Sequence, residues 1–198
     1  MPPSNLREIV LRAAVDHIAE HGPDSLSFRQ IAAAAGVSHQ APYHHFTDRK
    51  GIFRAIAVEG YEVFTAMLRA ADATDDGDDP STAMLEAYVE FALTHRGHFR
   101  VMFRSELSGL TDDPESRKIA DQAFDVLLEH VRRLLGDDAT VDDIRTRASA
   151  MWALAHGLAT LLIDGPLEVK VGPIVDRKAL VRAVAEHSGL AGERHAIR

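Results

Sequence analysis

Ser27–Phe46, SFRQIAAAAGVSHQAPYHHF, reads as two short helices joined by a tight glycine turn. Ser27 has the chemistry of an N-cap, Gln30 is placed three residues on to reach back to its amide, and Leu26 and Ile31 are spaced as a hydrophobic staple. The run IAAAA is strongly helical and slender, so a second helix can approach it closely, and Gly36 supplies the left-handed residue that ends it. Val37 is apolar and tucks under the turn, while Ser38 is a second N-cap, starting a helix through Phe46. Pro42 then falls at the fourth helical position, where its missing N–H removes the first helical bond, back to the Ser38 carbonyl.

Two helices at a steep angle across a short turn containing glycine form a helix-turn-helix, whose second helix enters a DNA major groove. Helical spacing turns Pro42, His45 and Phe46 inward and leaves His39, Gln40, Tyr43 and His44 on or beside the outward face. Gln makes bidentate contacts to adenine, Tyr bonds phosphate oxygen, and His serves base edge or backbone. No arginine stands on this face, so the commonest guanine contact is missing.

Around this stretch lie REIVLRAAVDHIAEHG before it and DRKGIFRAI after it, opening a further helix. Together with SFRQIAAAAGVS and APYHHF, these pieces resemble the DNA-binding domain of the tetracycline-repressor (TetR) family of bacterial transcription regulators, over Leu6 to about Tyr61. The resemblance implies that the Ser38–Phe46 helix reads the major groove and that Arg49, where the family usually carries Lys, touches the DNA backbone. Pro42 departs from the pattern, standing where Leu is common. The DNA-contacting set expected from residues and resemblance together is Ser27, Ser38, His39, Gln40, Tyr43, His44, Arg49 and Lys50.

The net charge of −8 argues at first sight against a nucleic-acid partner, but it is unevenly spread. Residues 1–60 balance six Lys or Arg against six Asp or Glu, so the rest of the chain carries the whole excess. The reading end is the less acidic one, and His39, His44 and His45 add partial positive charge beside a phosphate backbone. With 46% hydrophobic and 26% charged residues and no cysteine, the 198-residue chain reads as globular, without disulfides, thiolate metal sites or thiol nucleophiles. MPPSNLREIV shows no basic segment followed by an apolar run, and no stretch has the length of a membrane span, so a cytoplasmic, membrane-free protein is expected.

The pattern predicts an all-α chain: a DNA-binding domain over 1–48, a connecting helix over 49–72 capped by Asp48, and an effector-binding and dimerisation domain over 73–198. Asn5–Glu20 carries one apolar face. Asp72–Pro80, DATDDGDDP, is a solvated acidic turn without the spacing of a calcium loop. Helices follow over Ser81–His95, Gly97–Leu107, Pro114–Leu135, a Thr140/Asp143 capping box through Ile163, and Arg177–His187. Val169–Val175 is the one β-branched cluster, interrupted by Gly172-Pro173. The tail from Gly189 is expected to fray.

The Ile144–Ile163 helix is apolar on nearly every side, through Met151, Trp152, Leu154, Leu158, Leu161 and Leu162, and so must be covered on both faces. The family resemblance implies that the last two long helices pair with those of a second subunit in a four-helix bundle. Trp152, His156 and Gly157 resemble the Trp/His/Gly signature of one type of family C-terminal domain.

Phe91, Phe99, Met102, Phe103, Phe124, Trp152 and His156 form a candidate lining for a small-molecule effector pocket, against the plainer reading of the same residues as core. His17 and His21 have metal-ligating i, i+4 spacing, and His95 and His98 flank a helix boundary, but neither pair has a third ligand, so no metal or other cofactor is expected. GxSxG, HExxH, phosphate-loop and dinucleotide patterns are all missing, which weighs against an enzyme. The expectation is a homodimeric repressor released from a palindromic operator by a small molecule. A helical ligand-binding or adaptor protein that has lost DNA binding is the alternative, drawing on Pro42 and the acidic balance.

Overall fold

The computed structural model describes residues 3–74 and 79–189. Along the chain run α1 (Pro3–His21), a 3₁₀ turn (Pro23–Ser25), α2 (Phe28–Ala35), α3 (Ala41–His45), α4 (Arg49–Asp72), α5 (Pro80–Thr94), α6 (Arg96–Met102), α7 (Ser105–Ser108), a second 3₁₀ turn (Leu110–Asp112), α8 (Pro114–Leu135), α9 (Val141–Ile163), α10 (Pro166–Val171) and α11 (Arg177–His187). The fold is all-α, as the periodicity predicts. Among the described residues no helix is long and apolar enough to cross a membrane. The centre of the acidic 72–80 turn and the tail beyond Gly189 lie outside the described residues.

Three expectations are corrected. The helix expected over Gly97–Leu107 is two pieces, α6 and α7, with Phe103 and Arg104 off helical geometry between them. The 169–175 cluster is helical through Val171 in α10, started by Pro166 at its first position and ended at Gly172, whose φ of 88° only glycine adopts readily. The third, the start of α3, bears on the reading face and is taken up below.

The chain folds as two compact units that do not follow a single cut. The first combines residues 1–63 with 95–121, and the second combines 64–94 with 122–198. Neither residue 48 nor residue 72 is a boundary between them. α4 and α8 each contribute to both.

In the first unit, α1 buries Val10, Leu11, Ala14 and Ile18, and α4 buries Ile52, Phe53, Ile56 and Ala57. α6 lies close against α1 because Gly97 carries no side chain: a Cβ there would stand 2.3 Å from the Val15 carbonyl oxygen. Arg100 of α6 donates to the Ile18 and Ala19 carbonyls at 3.3 and 3.2 Å, adding to the Gly22 amide on Ile18 a side-chain cap for the end of α1. Tyr61 of α4 donates its hydroxyl to the Met102 carbonyl at 3.1 Å, and burial pushes its pKa up to about 12. His98 is buried at the same junction, with the Glu59 carboxylate 3.6 Å from Nε2 and with Asp16 and His95 as its other charged or titratable neighbours. Burial lowers its pKa despite Glu59, because a charged imidazolium loses more hydration than one distant carboxylate returns.

In the second unit, α5 packs on both α9 and α11. α9 begins with the reciprocal capping box expected of Thr140 and Asp143, the Asp143 amide meeting Thr140 Oγ1 at 3.1 Å and the Thr140 amide meeting Asp143 Oδ2 at 3.0 Å. Val131, Ile144, Ala148 and Met151 join α8 to α9. A buried polar tie fastens the end of α4: Asp72 accepts from His130 Nδ1 at 2.8 Å and from Arg133, while His130 Nε2 lies 2.9 Å from Ser81 Oγ. These atoms have the connectivity of a Ser–His–Asp relay. Ser81, however, is 5% exposed, so the tie joins helix ends and offers no nucleophile to solvent.

Gly97→Ala should destabilise the fold by about 1–3 kcal/mol, because backbone and not a movable side chain blocks the new methyl; urea unfolding measures it. Since the folded-state pKa of His98 lies below the unfolded value of about 6.5, its burial contributes stability above that pH that is lost as the pH falls through the folded pKa. His98→Phe should therefore flatten the acid limb of stability as the pH falls below about 6.5. An unaltered limb would assign the acid loss to other groups.

Candidate nucleic-acid interface

The reading unit is built by two caps and one proline. Ser27 caps α2 by accepting the Gln30 amide at 3.3 Å, but Gln30 answers with its side-chain oxygen, which takes the Ser27 hydroxyl proton at 2.6 Å instead of reaching the backbone. Leu26 and Ile31, the predicted staple pair, are both buried. Gly36 ends α2 at φ 64°, ψ 30°, and the Val37 amide returns to the Ala32 carbonyl at 3.0 Å, which closes a Schellman turn.

α3 starts at Ala41, two residues later than a Ser38 cap requires. The reason is Pro42. With no N–H at 42 to meet the Ser38 carbonyl, that oxygen is taken by the Ala41 amide at 2.9 Å, and the Tyr43 amide bonds Gln40 at 3.1 Å. Ser38–Gln40 thus form a tight turn, and Pro42 becomes the second helical residue, where no N–H is needed.

The face is nevertheless disposed as predicted. Ala41, Pro42 and Phe46 are buried and His45 is half-buried, whereas Ser38, His39, Gln40, Tyr43 and His44 are exposed. Tyr43 is 53% exposed, with its ring held edge-on by Phe28 of α2 at 4.3 Å and flanked by His39 at 6.1 Å. Phe28 was not among the predicted residues. Its signal was an aromatic immediately after a cap, outside the apolar periodicity of α2.

α4 begins with two adjacent cations, Arg49 and Lys50, behind Asp48, which accepts the Gly51 amide at 2.7 Å as the predicted cap. Arg49 donates to the Pro23 carbonyl and covers the Phe53 ring at 5.0 Å. Lys50 reaches Asp112 at 2.7 Å. Ser27 is exposed at the start of α2.

The seven expected pocket residues fall into two groups. In the first unit, Phe99 and Phe103 meet edge-on at 5.4 Å, and Met102 lies against Gly60. In the second, Tyr88 gathers the others: its ring lies 5.0 Å from Phe64, which contacts Phe91 at 4.9 Å, and Trp152 meets Phe124 at a tilt, 5.6 Å between centroids. Trp152 Nε1 donates to the Tyr88 oxygen at 3.3 Å, and the same oxygen shares a hydrogen bond with His156 Nδ1 at 2.9 Å. Partial burial lowers the His156 pKa, which favours the neutral ring. A separate open cavity of about 450 Å³ lies among α4, α5 and α11, lined by Met67, Ala70, Glu86, Glu90, Leu93 and Lys178 among others and by none of the seven. His17 and His21 stack face to face at 4.6 Å, and His17 Nε2 bonds Ser25 Oγ at 3.0 Å.

Comparison with known proteins agrees with this geometry. Residues 10–56 match the family described as bacterial regulatory proteins, tetR family, and residues 81–187, more than half of the chain, match the tetracyclin repressor-like C-terminal domain. The chain belongs to the TetR family. As a TetR-family protein it is a helix-turn-helix transcriptional regulator and not an enzyme. The HTH-type transcriptional repressor AcnR of Corynebacterium efficiens is 39% identical over 164 residues, covering 82% of this chain and 80% of the relative. An uncharacterized HTH-type regulator of Mycobacterium tuberculosis is 26% identical over 166 residues, covering 82% and 72%. Among solved structures, a protein with unknown function from Rhodococcus sp. RHA1 aligns at TM-score 0.72 and 31% identity over 96% of this chain and 100% of the other. LfrR of Mycobacterium smegmatis, solved with proflavine, shares the fold at TM-score 0.68 and 21% identity over 96% of each chain. The TetR C-terminal match begins at residue 81, yet residues 95–121 inside it belong to the compact unit of the DNA-binding helices.

Proposed function

We propose that this regulator is a cytoplasmic homodimeric repressor that holds a palindromic operator through two α3 helices and is released when a small molecule binds its C-terminal part. The observation that carries the reading is the exposed set of His39 and Gln40 in the turn leading into α3 and Tyr43 and His44 on α3, pinned by buried Ala41, Pro42 and Phe46. Gln40 and the histidines supply base-edge contacts, Tyr43 supplies a phosphate contact from a ring set by Phe28, and Ser27, Ser38, Arg49 and Lys50 supply the backbone contacts. Repression follows the names of the Corynebacterium relatives.

Dimerisation is assigned to α8 and α9. On α9, Ser149, Ala153, Gly157 and Leu161 recur at four-residue spacing and all are exposed, beside a Trp152 that is 41% exposed. A second copy laid on this face gives the helix the cover that its composition demands. The Trp152–Tyr88–His156 relay is the structural sense we give to the Trp/His/Gly signature, and Phe91, Phe124, Trp152 and His156 are the second-unit residues assigned to the effector. The effector needs only a differential affinity between two dimer arrangements, about 1–3 kcal/mol, to favour one whose α3 helices miss successive major grooves about 34–36 Å apart.

Selection of duplexes from a random pool at about 150 mM salt should enrich an inverted repeat with the wild type and none with Tyr43→Ala. Gln40→Ala should keep binding but relax one base position by about 1–3 kcal/mol; an unchanged sequence profile would displace the reading face from Gln40. Gly157→Leu, which meets open space within one chain, should leave folding intact and shift sedimentation toward monomer. A dimer of unchanged strength would remove this face of α9 from the interface.

A further inference from the structure

We infer that Asp112 is a built-in phosphate mimic that occupies Lys50 in the DNA-free protein, so that DNA backbone and Asp112 compete for one ammonium group. The inference rests on the reading of Lys50 as a backbone contact.

Arg49 and Lys50 sit in the first turn of α4, where the partial positive charge of the helix N-terminus disfavours cations. Each is compensated differently. Arg49 is held by an uncharged carbonyl and an aromatic face, so its full charge still projects into solvent. Lys50 is neutralised by a carboxylate 62 residues away, Nζ to Asp112 Oδ2 at 2.7 Å.

The path to that carboxylate is built. Gly109, left-handed at φ 58°, leaves room for the lysine stem: a Cβ there would stand 1.8 Å from Lys50 Cε. The neighbouring Asp113 is spent on capping α8, accepting the Ser116 amide at 2.9 Å, so Asp112 alone of the pair faces the lysine. Arg54, whose Nε reaches the Ser108 carbonyl at 3.4 Å, adds to the positive field on Asp112. The hydrogen bond and charge of Lys50 hold the Asp112 carboxyl below the usual carboxylate range.

Both ends of the pair are about half-exposed or more, with 46% of the Lys50 side chain and 63% of the Asp112 side chain accessible, so another anion can reach the ammonium without unfolding anything. A phosphate oxygen offers the same charge, geometry and acceptor chemistry as Asp112 Oδ2. Asp112 engages one of the three ammonium donors, so a phosphate brought to the others meets a second anion beside it, and the repulsion between the two sets them in competition for Lys50.

The test is a double-mutant cycle of Lys50→Gln and Asp112→Asn on the full chain, with affinity measured for the duplex that the wild type enriches from a random pool. Asp112→Asn should tighten binding about two- to fivefold, the range expected for freeing one exposed ion-pair partner. Lys50→Gln should weaken it. In the Lys50→Gln background, Asp112→Asn should change nothing. If it tightens binding equally there, Asp112 acts as general negative charge and the competition is overturned. If Lys50→Gln alone leaves affinity unchanged while Tyr43→Ala removes it, the assignment of Lys50 to the backbone fails, and the competition with it, while the reading face stands. A wild type that enriches no duplex would overturn both.

Discussion

The left-handed turn at Gly36 is the constraint on which the reading end depends. It turns the chain out of α2 while the Val37 and Gly36 amides bond the Ala32 and Ala33 carbonyls. With that turn set, α3 can be short. Five residues suffice because its inner side, Ala41, Pro42 and Phe46, is buried, and because Phe28 from α2 meets Tyr43 edge-on. Pro42, at odds with a helix begun at Ser38, is compatible with one begun at Ala41.

What was legible in the sequence was what local chemistry decides. The Ser27, Asp48 and Thr140 caps, the Gly36 stop and the apolar faces of α1 and α4 all depend on neighbours within a few residues. So does the sorting of His39, Gln40, Tyr43 and His44 from Pro42 and Phe46, which needs only helical spacing. The start of α3 differs from the reading by two residues because two rules compete: a good cap at Ser38 and the missing N–H of Pro42. Contacts between residues distant in sequence left no such signal. Nothing local marks Gly97 as lying on the Val15 carbonyl, Tyr88 as the partner of both Trp152 and His156, or Asp72 as the acceptor for His130.

The net charge of −8 is reconciled with a nucleic-acid partner by where the acids are engaged. Glu86, Asp72 and Glu129 each pair with arginines within the second unit. In the first unit, Arg104 draws on Asp24 and Glu106, and Asp48 and Asp113 are occupied as caps. Affinity for DNA then depends on a few positioned groups rather than on a basic field, which favours recognition of a particular site over indiscriminate attachment.

The chain leaves the first unit at residue 64, returns to it at 95 and leaves again at 122. The returning segment is fitted to α1 by the bare backbone of Gly97 and by the Arg100 cap, both specific to the surface they meet. A chimera joined once between 64 and 94 would set a foreign return segment on this α1 and lose that fit. Exchange of sensing parts between regulators built this way therefore requires two junctions, or the inheritance of α6 together with the reading head.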